Sequence, residues 1–282
     1  MRYECLDIHV DYQKVGAEQD GTQPKLLAYL LDESPELPQN AVRPAVIICA
    51  GGAYYFRSDR EAEPIAMRFL AAGIHAFVLQ YSVAPSRYPS AALELATAVR
   101  LVRQNAKEWN IFPDQIHIMG FSAGGHLCAT LGTLWDEPVF ARALGGQSRE
   151  WRPDSLLLGY PVITMGQSTH QDSRGNLLGK NASQEMIDAL SLEKRVSAKT
   201  VPTFLWHTVE DGAVPVENSL QFATALRANG IPFEMHLYEN GGHGLSLCEQ
   251  VTAQGPEHLM PDNANWMPMA IRWVLRAKNR QA

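Results

Sequence analysis

Apolar residues in this chain fall in short unbroken blocks. Segments 45–49, 75–81, 115–119, 155–158, 203–207 and 233–238 each carry one. Continuous rather than alternating apolarity marks strands covered on both faces, as in a parallel sheet. Between the blocks the pattern changes to a helical period. Pro64 opens a helix, and Gly73 stands just beyond its end. Between Pro89 and Trp109, the residues Ala91, Leu95, Ala98, Val99, Val102 and Ala106 recur on one helical face. Pro215 starts another helix, which Asn229 and Gly230 end. Trp266, Ala270, Trp273 and Val274 form a last stripe. The alternation predicts an α/β fold, with a mostly parallel central sheet and helices on both faces.

Two stretches depart from that rhythm. Segments 7–10 and 26–30 read as strands joined by a polar, glycine-containing turn, an antiparallel edge to the sheet. Segment 163–200 is polar and irregular, with one helix expected around 185–190. So long a stretch without a strand predicts a cap or lid insertion, within a single domain spanning 1–282.

Composition narrows the class. A hydrophobic fraction of 46% and a charged fraction of 19% are ordinary for a globular protein, and they supply a large core without metal or disulfide staples. The net charge of −6 argues against nucleic acid or an anionic membrane as partner. The first residues lack the apolar core of a signal peptide, and no apolar run approaches a membrane span. The four cysteines (Cys5, Cys49, Cys128, Cys248) are scattered, as expected of buried thiols in a reducing, cytoplasmic setting.

Four sites carry candidate chemistry. Gly120-Phe121-Ser122-Ala123-Gly124 matches G-x-S-x-G, after a strand and before a stretch that can be helical. In that context the glycines allow a sharp turn that lifts the Ser122 hydroxyl above the sheet. A serine hydroxyl needs a base at neutral pH. Among nine histidines, His243 lies in the glycine-rich loop Asn240-Gly241-Gly242-His243-Gly244, just after the last strand, where parallel sheets place ligands. His117, His236 and His75 belong to strand runs, His126 reads as a structural hydrogen-bonding residue, and His207 as strand-end packing. The acid is expected between serine and histidine in chain order, which selects Asp211, with the adjacent Glu210 as competitor and helix capping as the plainer role. Ala50-Gly51-Gly52-Ala53-Tyr54 follows the first core strand, and Gly52, Ala53 and Ala123 are the expected N–H donors to an oxyanion. Tyr54, Tyr55 and Tyr160 are candidates for the pocket wall or for the core. No metal-ligand spacing and no phosphate-binding loop is present, so neither metal nor cofactor is expected.

With these residues in view the chain resembles the bacterial acetyl esterase and acetylxylan-esterase-like branch of the α/β-hydrolases, related to dienelactone hydrolases and the hormone-sensitive-lipase group. The resemblance runs from about Arg43 to the C-terminus. It is carried by Gly51-Gly52-Ala53-Tyr54, Tyr81-Ser82-Val83-Ala84-Pro85, the Ser122 motif with Gly125-His126, Gly159-Tyr160-Pro161-Val162, Trp206-His207-Thr208-Val209-Glu210-Asp211 and Gly242-His243-Gly244-Leu245. It implies hydrolysis of short acyl esters, often acetyl groups on sugars, by Ser122, His243 and Asp211. Two departures stand out: Ala50 replaces the histidine many relatives carry before the glycines, and Ala53 replaces the third glycine. A peptidase, an arylformamidase or a thioesterase would use the same triad. A non-catalytic binding protein is the rival of a different class, and it predicts a missing triad member.

Overall fold

The computed structural model describes residues 1–277. In chain order it contains β1 (Arg2–Asp7), β2 (Lys25–Leu30), β3 (Arg43–Cys49), α1 (Glu63–Ala71), β4 (His75–Gln80), α2 (Ser90–Gln104), β5 (Ile111–Phe121), α3 (Ser122–Leu134), α4 (Pro138–Leu144), β6 (Ser155–Gly159), α5 (Gln171–Leu178), α6 (Gln184–Ala189), β7 (Thr203–Thr208), α7 (Glu217–Ala228), β8 (Phe233–Tyr238) and α8 (Trp266–Ala277). The strands form one sheet in the order β1-β2-β4-β3-β5-β6-β7-β8. β1 and β2 pair antiparallel, β2 joins β4 antiparallel, and every pairing from β4 to β8 is parallel.

The apolar blocks become central strands because both of their faces are covered. In β3, Ala45, Ile47 and Cys49 join one core while Val46 and Ile48 join the other. In β7, Leu205 faces the first core while Phe204 and Trp206 face the second. The first core is closed by α2, α3, α4 and α7, and the second by α1 and α8. Each fully buried aliphatic side chain contributes about 1.5–3 kcal/mol relative to exposure, so the unbroken blocks are the main source of the sheet's stability.

Some boundaries differ from the sequence expectation. The edge strand is Arg2–Asp7 and not 7–10. Its residues are exposed or half-buried, so no continuous apolar block marks it, whereas Ile8, just past its end, is buried. β5 begins at Ile111, ahead of its apolar stretch. α4 and α5 had no periodic signal; each has only two buried residues. Segment 163–200 holds α5, α6 and a short 3-10 turn. No helix among the described residues is long and apolar enough to cross a membrane.

Candidate active site

The turn between β5 and α3 explains the glycine spacing. A Cβ on Gly120 would lie 2.1 Å from the Gly124 carbonyl oxygen, and one on Gly124 would lie 2.2 Å from that of Cys49. Both contacts are with backbone, which cannot yield. Only glycines therefore let the first turn of α3 press against the ends of β5 and β3. Ser122, between them, adopts φ 51°, a left-handed conformation costly for any residue but glycine.

Ser122 Oγ lies 2.8 Å from His243 Nε2, and His243 Nδ1 lies 2.7 Å from Asp211 Oδ2. Asp211 is ionised and can only accept, so His243 carries its proton on Nδ1 and presents a free lone pair to the Ser122 hydroxyl. Asp211 is held from four directions. Its Oδ1 accepts the N–H groups of Ala213 and Val214, at 3.0 and 2.9 Å. Its Oδ2 accepts from His207 Nε2 at 3.2 Å as well as from His243. Burial opposes the charge, but hydrogen bonds from His207 and His243, with the positive charge His243 can carry and the Val214 N–H, hold the carboxyl well below the usual carboxylate range. Glu210 points elsewhere, accepting the Gly241 N–H at 3.1 Å.

His207 is more than packing. It is fully buried, and Nε2 also approaches the Val214 carbonyl at 3.0 Å, so Nε2 carries the proton. Nδ1 then accepts from Ser219 Oγ at 2.7 Å. β7 and α7 thus fix this imidazole, and it in turn braces the Asp211 carboxylate.

A second buried carboxylate lies below the site. Glu61 accepts the Gly51 N–H at 2.7 Å and the Tyr160 hydroxyl at 2.6 Å, and the Tyr160 oxygen accepts the Ser246 N–H at 3.0 Å. The Tyr160 ring meets the His243 ring edge-on, with centroids 5.1 Å apart. This chain of bonds ties the 51–53 loop to the loop that carries His243. Burial raises the Glu61 carboxyl above its ordinary range. The Gly51 loop runs directly against the nucleophile, since a Cβ on Gly51 would lie 2.9 Å from that of Ser122. Gly52 has φ 127° and Ala53 φ 54°, and the Ala53 carbonyl accepts Asn176 Nδ2 at 2.9 Å. With Gly51 N–H engaged by Glu61, the N–H groups of Gly52 and Ala53 remain unbonded among the described residues. That of Ala123 opens α3, where helical N–H groups have no partner within the helix.

The structure divides the three tyrosines, for which the sequence left both pocket wall and core open. Tyr54 is buried, and its hydroxyl donates to His126 Nδ1 at 3.0 Å. It is a core residue, as is Tyr160, whose hydroxyl serves Glu61. Tyr55 is exposed. His126 is structural: Nε2 meets the Leu190 carbonyl at 2.9 Å, and burial lowers its pKa to about 4. Sequence reasoning missed Glu61, His170 and Asn176, and it underrated His207. Only His207 had a usable signal, its place four residues before Asp211 at the end of a strand.

The family model BD-FAE matches residues 34–226. The chain belongs to the BD-FAE family. The span matched to BD-FAE contains Gly52, Ser122 and Asp211 and ends before His243. Over 237 residues, or 81% of this chain, it is 39% identical to endo-1,4-beta-xylanase B of Butyrivibrio fibrisolvens. Over 82% of this chain it is 31% identical to an acetylxylan esterase of Xylanibacter ruminicola. The aligned regions span 35% and 46% of those two proteins, less than half of each. Among solved structures, an acetyl ester-xyloside bifunctional hydrolase from Caldicellulosiruptor lactoaceticus superposes with a TM-score of 0.83 at 35% identity, over 98% of this chain and 97% of that one. A carboxylesterase from Lactobacillus plantarum superposes at 0.79 and 26% identity, over 99% and 98%. The fold is that of the α/β-hydrolases, and the acetyl-esterase-like branch expected from the sequence is the one its relatives occupy. Its relatives include proteins named as an acetylxylan esterase and a carboxylesterase.

Proposed function

We propose that the protein is a serine esterase that removes short acyl groups, acetyl foremost, from small esters including acetylated sugars. The observation that carries this reading is the unbroken line of hydrogen bonds from Ser122 Oγ through His243 to Asp211. In it, Ser122 Oγ attacks the ester carbonyl carbon while His243 Nε2 takes the hydroxyl proton. Asp211 stabilises the imidazolium that results. The N–H groups of Gly52, Ala53 and Ala123 bind the oxyanion. As the tetrahedral intermediate collapses, the C–O bond to the alcohol breaks and His243 returns the proton to the leaving oxygen. A water then attacks the acyl-enzyme with His243 again as base, releasing the acid and restoring Ser122.

The choice of acyl and alcohol draws on relatives named for acetyl ester and acetylxylan hydrolysis and on the polar side chains of α5. The four cysteines are free, which supports placement in the cytoplasm. The test is a fluorophosphonate label and a panel of p-nitrophenyl esters and acetylated sugars. Wild type should take the label on Ser122. Ser122→Ala should fold and lose nearly all turnover, keeping at most about 10³-fold over water from the remaining site. A label on another serine, or an active Ser122→Ala, rejects the mechanism.

A further inference from the structure

His170 stands at the start of α5, close to His243 and outside the proposed chemistry. Its ring lies nearly parallel to that of His243, with planes 15° apart and centroids separated by 6.5 Å. It caps α5, its Nδ1 accepting the Ser173 N–H at 3.3 Å and facing the Ser173 hydroxyl at 2.9 Å. Since Nδ1 accepts, the neutral ring carries its proton on Nε2. Nε2 has no hydrogen-bond partner among the described residues. A cap alone does not call for imidazole, because Ser, Thr, Asp and Asn are the favoured residues there. What histidine adds is a second nitrogen, held beside the reaction centre.

The position of that nitrogen is well fixed. Asn176, on α5, donates to the Ala53 carbonyl at 2.9 Å and locks the helix to the 51–53 loop. Asn218 of α7 is fully buried; its Oδ1 accepts the N–H groups of Ile163 and Thr164, and its Nδ2 donates to the Ser168 carbonyl at 2.8 Å. The loop leading into α5 is therefore pinned on one side and the helix on the other. Burial, then repulsion from a protonated His243, lowers the His170 pKa, which keeps the ring neutral.

We infer that His170 Nε2–H is a specificity-determining donor that binds a hydroxyl oxygen adjacent to the scissile ester, so that esters of vicinal diols, the arrangement on a sugar ring, are preferred over esters of simple alcohols. This rests on the esterase reading above. The direct probe is a pair of esters differing by one hydroxyl, cyclohexyl acetate and trans-2-hydroxycyclohexyl acetate. His170→Asn keeps a favoured cap on α5 but is too short to reach the substrate. The preference for the hydroxy ester, as a ratio of kcat/KM, should fall about 3- to 10-fold in His170→Asn, the worth of one neutral hydrogen bond. Turnover of cyclohexyl acetate should change less than about 2-fold if no such bond is made to it. An unchanged ratio, or equal losses on both esters, overturns the assignment and leaves the triad standing. Turnover of both esters that survives Ser122→Ala overturns the esterase mechanism itself.

Discussion

Replacing Asp211 by Asn should trap His243 in the wrong tautomer, and the hydrogen bonds around position 211 say why. The amide has one oxygen and one NH2 group. The backbone N–H groups of Ala213 and Val214 both point at Oδ1, so the amide oxygen must occupy that side. The NH2 then takes the place of Oδ2 and faces His243 Nδ1. Two donors cannot share one contact, so Nδ1 gives up its proton and becomes an acceptor. The proton moves to Nε2, which then points a hydrogen at Ser122 Oγ and can accept nothing from it. The expected loss in kcat is about 10⁴-fold, or about 5.5 kcal/mol of barrier. The fold should suffer far less, because His207 Nε2–H keeps its bond to the Val214 carbonyl. A destabilisation of about 1–3 kcal/mol is expected from the displaced pairing. The assay is kcat on p-nitrophenyl acetate, with circular dichroism melting of the same preparations. Glu210→Gln is the control, since among the described residues Glu210 meets only the Gly241 N–H, and it should cost less than about 10-fold, the worth of a single such bond. A loss under about 10-fold in Asp211→Asn would refute the tautomer argument, as would a larger loss in Glu210→Gln.

The same carboxylate predicts a pH dependence of stability. Its pKa is lowered on folding, so its contribution is present above the ordinary carboxylate pKa of about 4 and is lost as pH falls below it. Urea midpoints of wild type and Asp211→Asn should therefore converge on acidification; a constant or widening gap contradicts this. Glu61→Gln offers one acceptor where Gly51 N–H and Tyr160 O–H need two, so melting should fall by about 1–3 kcal/mol and kcat should fall with it; unchanged kcat would separate Glu61 from the oxyanion loop. Across p-nitrophenyl acetate, butyrate, hexanoate and octanoate, kcat/KM corrected for intrinsic reactivity should peak at the short esters, because a roomy pocket would gain about 0.8 kcal/mol per methylene and a narrow one would lose to overpacking. A maximum at hexanoate or beyond rejects the short-acyl reading.

The sheet was legible because two-sided burial leaves unbroken apolar blocks, and the turn at Ser122 because backbone crowding admits only glycine at 120 and 124. Ser122, Asp211 and His243, picked out by motif and chain order, lie in hydrogen-bond contact. What could not be read are the bonds between segments distant in sequence. Glu61 reaches Tyr160 across 99 positions and Asn176 reaches Ala53 across 123, and no local pattern announces either. Tyr54 and Tyr160 illustrate the ambiguity of an aromatic with a polar tip: a hydroxyl that suits a pocket wall equally suits a buried partner, and here His126 and Glu61 claim them. α5 stayed hidden because a helix with two buried residues has no face to write into the sequence.

The segment bearing α5 and α6 leaves from the end of β6 and returns to β7, its immediate neighbour in the sheet. Because those two strands are parallel, its ends are fixed at opposite edges of the sheet whatever lies between them. The entropy of closing such a loop grows only logarithmically, so doubling its length costs about 0.6 kcal/mol. Ser122 precedes the segment in the chain, Asp211 and His243 follow it, and the strands that carry them pair without it. An exchanged segment would have to keep the contacts that seat this one against the site and the core: Asn176 with Ala53, Asn218 with the incoming backbone, and the Leu190 carbonyl with His126. Grafting a different segment between the same two strands, with those contacts preserved, is therefore a route to new alcohol preferences in which the hydrolytic machinery need not be rebuilt.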